Sequence, residues 1–204
     1  MTSSGLLFTY GSFSKGYVLH NRIKDFVTNT SAAAIKGSVY RLKIGFPVFL
    51  NQGEDLVKGT LCEIEGPDVL FRILDEFHGF SAVNPEKSLY WKSDVTATLD
   101  GGEERLAQVY SLNPSKLPSN AQLILNGDWQ SSLETAPPLL DSLTDRQRIY
   151  VAKLGASSGR EIIPIDLDLY RELMKLDLIV DKGRRLALSQ LGKEVFKYIH
   201  PTVN

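Results

Sequence analysis

Near the N-terminus, an apolar run ends in a cluster of small residues that could bind an anion. Leu6–Tyr10 has the apolar pattern of a short buried strand, and it runs directly into Gly11, Ser12, Ser14 and Gly16. A strand that ends in small residues presents backbone N–H groups, which suit a carboxylate or a developing oxyanion. The same pattern is also typical of an ordinary turn between a strand and a loop, so both interpretations stay open at this point.

Further segments follow in an order that carries more information than any one of them. They are Gly37-Ser38-Val39-Tyr40, Val57-Lys58-Gly59-Thr60-Leu61, Leu74-Asp75-Glu76-Phe77-His78-Gly79-Phe80 and Tyr90-Trp91-Lys92. With Tyr10-Gly11-Ser12 they resemble the γ-glutamylcyclotransferase-like (AIG2-like) family over residues 6–130. In that family the first strand ends in Tyr-Gly-Ser or Tyr-Gly-Thr, and Leu-Asp-x-Tyr-Glu-Gly-Tyr and Tyr-x-Arg come later.

The resemblance implies a fold and a reaction. The fold is α+β, a γ-glutamylcyclotransferase-like mixed β-barrel or sheet with few helices. In the reaction, the free α-amine of a γ-glutamyl group attacks its own γ-carbonyl, which gives 5-oxoproline and releases the amine or amino acid on the other side. Because both reacting atoms are already tethered, ring closure needs no water and no cofactor. The protein must remove a proton from the amine, hold the α-carboxylate and stabilise the oxyanion.

Two positions depart from the family pattern. His78 stands where the family has its catalytic glutamate, and Lys92 replaces the arginine of Tyr-x-Arg. Histidine can accept a proton, since its unperturbed pKa is about 6.5, but it supplies no negative charge to attract an ammonium group. His78 is therefore the candidate catalytic residue. Three interpretations stay open: a weak base, a base substituted for a different substrate, or a relic in a degenerate relative.

The resemblance also implies the residues that bind substrate. Tyr10, Gly11, Ser12 and Phe13 are the candidates for holding the carboxylate and the oxyanion, and Tyr90 matches a family tyrosine that could bond the carboxylate. Tyr90 is equally typical of an aromatic residue half in a core. No metal site is predicted, because the histidines lack partners at ligand spacing, and no cofactor is predicted, because no glycine-rich nucleotide loop is present.

The elements that must position these residues can be predicted from apolar periodicity. Strands are expected at residues 6–10, 37–42, 57–64, 88–99 and 105–112. Helices are expected over about 20–28 and about 67–77, the second starting at Pro67 and ending before Gly79. His78 would then lie at a helix C-terminus.

The first half of the sequence has mostly strand patterns, whereas residues 142–204 have mostly helical patterns. We therefore predict a first domain at 1–130, a linker at 131–141 and a second domain at 142–204. The second domain has the order helix, helix, hairpin, helix, which resembles a small winged-helix-like module. Its hairpin tip carries Lys182, Arg184 and Arg185, but Asp166, Asp168 and Glu172 on the second helix would oppose a phosphate backbone. A protein partner or self-association is therefore favoured over nucleic acid.

Composition limits the remaining classes. A net charge of −1 gives no reason to expect a nucleic-acid or membrane partner, and no apolar run is long enough to cross a bilayer. Cys62 is the only cysteine, which suits a reducing cytoplasm. The sequence thus favours a cytoplasmic protein with a small γ-glutamyl-type ligand. Two functions stay open: cyclisation to 5-oxoproline, or a non-catalytic ligand-binding, interaction or regulatory role that uses the C-terminal module.

Overall fold

The chain divides into two compact units in the computed structural model, which describes residues 4–17, 19–135, 137–157 and 162–199. The first unit consists of Met1–Leu42 and Phe46–Ala136, and the second consists of Lys43–Gly45 and Pro137–Asn204. In the described residues no helix is both long and apolar enough to span a membrane.

Strands dominate the first unit. They are β1 (Ser4–Thr9), β2 (Val27–Lys36), β3 (Ser38–Arg41), β4 (Pro47–Leu50), β5 (Leu56–Glu65), β6 (Tyr90–Leu99), β7 (Glu104–Leu112) and β8 (Gln122–Leu123). Five of them close a barrel in the order β1-β5-β2-β6-β7, and β4-β3-β8 form a smaller sheet. The barrel closes because β1 pairs antiparallel with β5 on one side and parallel with β7 on the other. This mixed barrel with few helices confirms the predicted fold class.

Side chains that alternate along the barrel strands belong to two different apolar clusters. Phe8, Leu61 and Val109 belong to one cluster, which includes residues from all the barrel strands. Their neighbours Leu7, Cys62 and Tyr110 belong to a second cluster that also contains residues of the helix α1 (Pro67–His78). Successive side chains of a strand point to opposite faces, so each barrel strand contributes to both clusters.

The helix α1 follows the predicted pattern. Pro67 occupies its first turn, and Leu70, Leu74 and His78 repeat at intervals of four on its buried side. Gly79 ends the helix in the left-handed conformation at φ 61°, and its N–H donates to the carbonyls of Asp75 and Glu76. The prediction that His78 lies at a helix C-terminus is confirmed.

The helix predicted over residues 20–28 is wrong. Two short 3₁₀ turns, His20–Arg22 and Lys24–Phe26, lie there, and β2 starts at Val27. The strand β2 was missed because residues 28–34 read Thr-Asn-Thr-Ser-Ala-Ala-Ala, which has few of the branched and aromatic residues that signal strands. Pairing with β5 along most of its length, and with β6 at one end, holds this weak strand in place.

Helices outnumber strands in the C-terminal part of the chain. The elements are α2 (Trp129–Thr135) in the first unit, then α3 (Leu139–Ser142), α4 (Asp145–Ala156), α5 (Leu167–Lys175), β9 (Ile179–Asp181), β10 (Leu186–Leu188) and α6 (Gln190–Ile199). The segment predicted as a linker, 131–141, contains most of α2 and the start of α3. The predicted order of helix, helix, hairpin and helix is present, and its assignment as a winged helix stays a prediction.

Candidate functional site

The loop after β1 is braced by the side chain of Tyr10. Its hydroxyl donates to the Tyr110 carbonyl at 2.8 Å and accepts from the Phe49 N–H at 3.2 Å. Burial of this hydroxyl raises the pKa of Tyr10 well above its ordinary value. The phenol therefore links β1 to β7 and β4, and both of its hydrogen bonds go to the protein backbone.

Gly11 and Ser12 make the sharp turn that follows. Gly11 has φ +69° and starts the 3₁₀ turn Gly11–Phe13. Ser12 is buried, and its carbonyl accepts from the Leu19 N–H at 3.0 Å. No described residue accepts a hydrogen bond from the Ser12 N–H. The Ser12 N–H is thus a backbone donor without a partner among the described residues.

His78 lies inside a cluster of aromatic rings. Its ring stacks on Tyr110 with centroids 4.1 Å apart and planes 7° apart, and Phe13 lies at 5.4 Å and 27°. Phe77 and Tyr90 pack edge-on at 5.1 and 5.0 Å. Only 8% of His78 is exposed. The imidazole of His78, the last residue of α1, is therefore packed in the interior of the first unit.

Burial changes the acid–base character of His78. Desolvation lowers its pKa from 6.5 to about 4, outweighing a hydrogen bond to the Leu74 carbonyl and the charge of Asp75, which both raise it. Nδ1 donates to the Leu74 carbonyl at 2.9 Å, so Nε2 carries the lone pair of the neutral ring. At neutral pH the group is uncharged.

Asp75, one helical turn before Gly79, organises the polar edge of the aromatic cluster. The Tyr110 hydroxyl donates to Asp75 Oδ1 at 2.6 Å, and Lys92 Nζ lies 2.8 Å from Oδ2. Lys92 also lies over the Phe71 and Phe80 rings, at 5.4 and 5.2 Å from their centroids. Lys92 therefore neutralises a carboxylate of α1.

We expect Tyr110→Phe to destabilise the first unit by about 1 to 2 kcal/mol, because the half-buried Asp75 carboxylate loses a charge-assisted donor while the ring stack on His78 is kept. Urea unfolding followed by tryptophan fluorescence measures the change. Tyr40→Phe is the matched control, since no hydrogen bond of the Tyr40 hydroxyl to a described residue is present. Equal stability of the two variants would contradict the structural role of the Tyr110 hydroxyl.

The structure brings some of the predicted site residues together and separates others. Phe13, His78 and Tyr90 share the aromatic cluster. Tyr10, Gly11 and Ser12 shape the turn leading to Phe13. Sequence reasoning gave neither Tyr110 nor Asp75 a role in the site. The position of Asp75 one residue after Leu74 in a helical repeat was a signal that it lies beside the buried face.

A cavity of about 380 Å³ opens beside the same loop. Phe13 is the predicted site residue among its described lining residues, which also include Ser14, Lys15 and His20. His78 and Tyr90 are not among those lining residues. Within the described ranges, no group of three or more His, Cys, Asp or Glu side chains is placed to hold a metal ion.

Solved structures resemble the chain at low identity. YkqA from Bacillus subtilis has 24% identity and a TM-score of 0.49, covering 66% of this chain and 42% of YkqA. An AIG2-like protein from Mus musculus has 16% identity and a TM-score of 0.45, covering 57% and 80%. A protein described as gamma-glutamyl cyclotransferase has 16% identity and a TM-score of 0.42, covering 85% and 99%. The chain thus spans less than half the length of the first of these. No curated protein matches the sequence.

A family model supplies the assignment. The model described as "Gamma-glutamyl cyclotransferase, AIG2-like" matches residues 7–131, which include the turn at Gly11, the helix α1 and the strand that carries Tyr90. This range covers more than half of the chain and all of the barrel strands from Leu7 onward. The chain therefore belongs to the γ-glutamyl cyclotransferase, AIG2-like family.

Proposed function

We propose that this chain binds a small γ-glutamyl-type ligand in the manner of its family but does not close it to 5-oxoproline. The observation that carries the proposal is the neutral, buried imidazole of His78 in the position of the family's acid. Cyclisation by His78 acting as a base is the alternative, and the experiment below separates the two.

Proton transfer to His78 is unfavourable. An α-amine has a pKa of about 8, and the pKa of His78 is about 4. Moving the proton from the ammonium to the imidazole would cost about 5 kcal/mol before any bond to the carbonyl forms. A carboxylate would in addition attract the ammonium, which a neutral ring does not do. His78 is thus too weak a base to accept the proton that ring closure must remove from the amine.

Access to the ring is also restricted. Tyr110 and Phe13 both stack on the imidazole, and Nδ1 donates to the Leu74 carbonyl. Only Nε2 can accept a proton from a ligand. A general base must come within hydrogen-bond distance of the proton that it removes, so an amine would have to reach Nε2 inside a cluster that also contains Phe77 and Tyr90.

Three features of the turn support retained ligand binding, and none of them depends on the residue at position 78. The turn at Gly11 keeps its left-handed conformation, Tyr10 braces it, and the buried Ser12 N–H has no acceptor among the described residues. A backbone donor at the end of a strand suits a carboxylate. The proposal includes no cofactor, and it places the protein in the cytoplasm, where its single cysteine suits reducing conditions.

The second unit is assigned to a protein contact or to self-association in this proposal. Asp166 caps α5, Asp168 lies in its first turn, and Glu172 accepts from Gln147 at 3.0 Å. These three carboxylates would oppose a phosphate backbone. Salt-sensitive retention of the full chain on DNA would contradict the assignment.

Release of 5-oxoproline from γ-glutamyl amino acids and γ-glutamylamines tests the proposed function. With the full chain we expect no release above the rate in buffer, and we expect the same ligands to shift amide NMR signals around residues 10–13. His78→Gln, which cannot act as a base of useful strength, should leave both results unchanged. Release by the native chain that His78→Gln abolishes would overturn the proposal and establish His78 as the base. An absence of any ligand-induced shift would overturn the binding half.

A further inference from the structure

The cavity beside the loop has a polar floor and a basic rim. Thr9 and Ser14 are buried polar residues that line it, and the Thr9 hydroxyl donates to the Thr60 carbonyl at 3.3 Å. Lys15 and Lys24 are exposed lining residues that extend from different turns of the chain. The floor is fixed by the β1–β5 pairing, while the charges come from the segment between β1 and β2.

No carboxylate offsets these charges in the described lining. None of the described lining residues is Asp or Glu, and neither lysine forms an ion pair with a described residue. His20 is oriented by a hydrogen bond from its Nδ1 to the Phe13 carbonyl at 3.1 Å, which leaves Nε2 as its second polar atom. A cluster of cations and hydroxyls without acids is complementary to a negative group.

We propose that this cavity is a binding site for the anionic group, carboxylate or phosphate, of a small molecule. Its volume of about 380 Å³ falls in the range of ligand pockets, about 300–1,000 Å³. The cavity shares Phe13 with the aromatic cluster around His78, but the lysines and hydroxyls that define the site lie outside that cluster. The inference therefore goes beyond the proposed function and does not depend on it. Lys15 and Lys24 supply the charge, and Ser14 and Thr30 supply hydroxyl groups beside it.

Titration of the isotope-labelled full chain with inorganic phosphate, and separately with glutamate, tests the site. We expect at least one probe to shift the amide signals of residues 14–15, 24–30 and 60–62 in a saturable manner. The shifts should weaken as ionic strength rises, because exposed charges are screened. The probe that binds more tightly identifies the source of the anionic group, phosphate or carboxylate.

Two variants and a control make the result specific. Lys15→Gln with Lys24→Gln should weaken binding by about tenfold, since each exposed ion pair contributes up to about a fivefold factor. Thr30→Tyr should block the cavity without changing charge, and a tyrosine suits the central strand β2. Lys116→Gln, which removes an exposed lysine outside the lining, should leave binding unchanged.

The outcomes are separable from those of the proposed function. The site is supported by saturable shifts confined to the cavity that weaken about tenfold in the double lysine variant. Thr30→Tyr should abolish these shifts and Lys116→Gln should leave them unchanged. Binding that survives both variants, or shifts scattered over all lysines, would overturn it, as would an absence of shifts with both probes. A γ-glutamyl ligand that shifts residues 10–13 in the Thr30→Tyr variant would uphold the proposed function even if this second site fails.

Discussion

Lowering the pH from 7.5 to 4.5 is expected to cost the first unit about 2 to 3 kcal/mol of stability through His78 alone. Its pKa is about 4 in the folded chain and 6.5 in the unfolded chain. Because the unfolded chain binds the proton more tightly, the stability that His78 contributes is fully present above pH 6.5 and is lost as the pH falls towards 4. Neutral histidine packed between rings is therefore an acid-sensitive element of the core.

Tryptophan fluorescence during urea unfolding measures this effect in the first unit, because Trp91 and Trp129 both lie there and are the only tryptophans of the chain. His78→Phe is the comparison, since phenylalanine keeps the stack on Tyr110 but cannot titrate. The free energy of unfolding should fall by about 2 to 3 kcal/mol more in the native chain than in the variant over this pH range. Parallel pH profiles would show that His78 is not buried as described.

Gly11→Ala is expected to destabilise the first unit by about 2 to 5 kcal/mol. An alanine Cβ at this position would lie 2.1 Å from Pro47 Cγ, and Gly11 has φ +69°. The left-handed conformation costs about 1–2 kcal/mol for a residue with a side chain, and overpacking adds about 1–3 kcal/mol. Pro47 is a rigid ring at the start of β4, so it cannot turn aside as a flexible side chain would.

Gly16→Ala separates the two contributions. Gly16 also has a positive φ, of +92°, but a Cβ there would meet nothing within 4 Å. Its cost in urea unfolding should therefore be limited to backbone strain, about 1–2 kcal/mol. If the two variants were equally stable, the close approach of Pro47 to the turn would be refuted. A loss of ligand shifts at residues 10–13 in Gly11→Ala alone would link the turn to binding.

Local signals in the sequence were sufficient to predict the elements whose first and last residues are marked by residues such as proline and glycine. Pro67 and Gly79 enclose the helix α1, and the predicted strands at 57–64 and 105–112 match β5 and β7 within a residue at each end. The strand β2 was not predictable in this way. Its Thr, Asn, Ser and Ala residues form a strand because they pair with β5 in the barrel. This pairing depends on the closed sheet and cannot be inferred from the composition of the segment.

The candidate site was predicted in part for a similar reason. The position of His78 at the end of a helix follows from Gly79, but its burial depends on Tyr110 and Phe13, which are distant in sequence. The repeat Leu70, Leu74, His78 was available as a signal that the imidazole continues the apolar side of α1. The cavity with Lys15 and Lys24 was not predictable, since it depends on the path of two 3₁₀ turns over β2 and β5.

The pairing of Lys92 with Asp75 determines what a carboxylate at position 78 would meet. A glutamate placed at position 78 would put a further carboxylate at the negative end of α1, in an aromatic environment, where the nearby lysine already serves Asp75. His78→Glu would therefore destabilise the first unit, because it buries a charge that no cation of the described residues is placed to pair. The lysine that holds the Asp75 carboxylate is thus no spare counter-ion for a second acid, and a glutamate at position 78 would need an additional cation beside it to stay ionised in this environment.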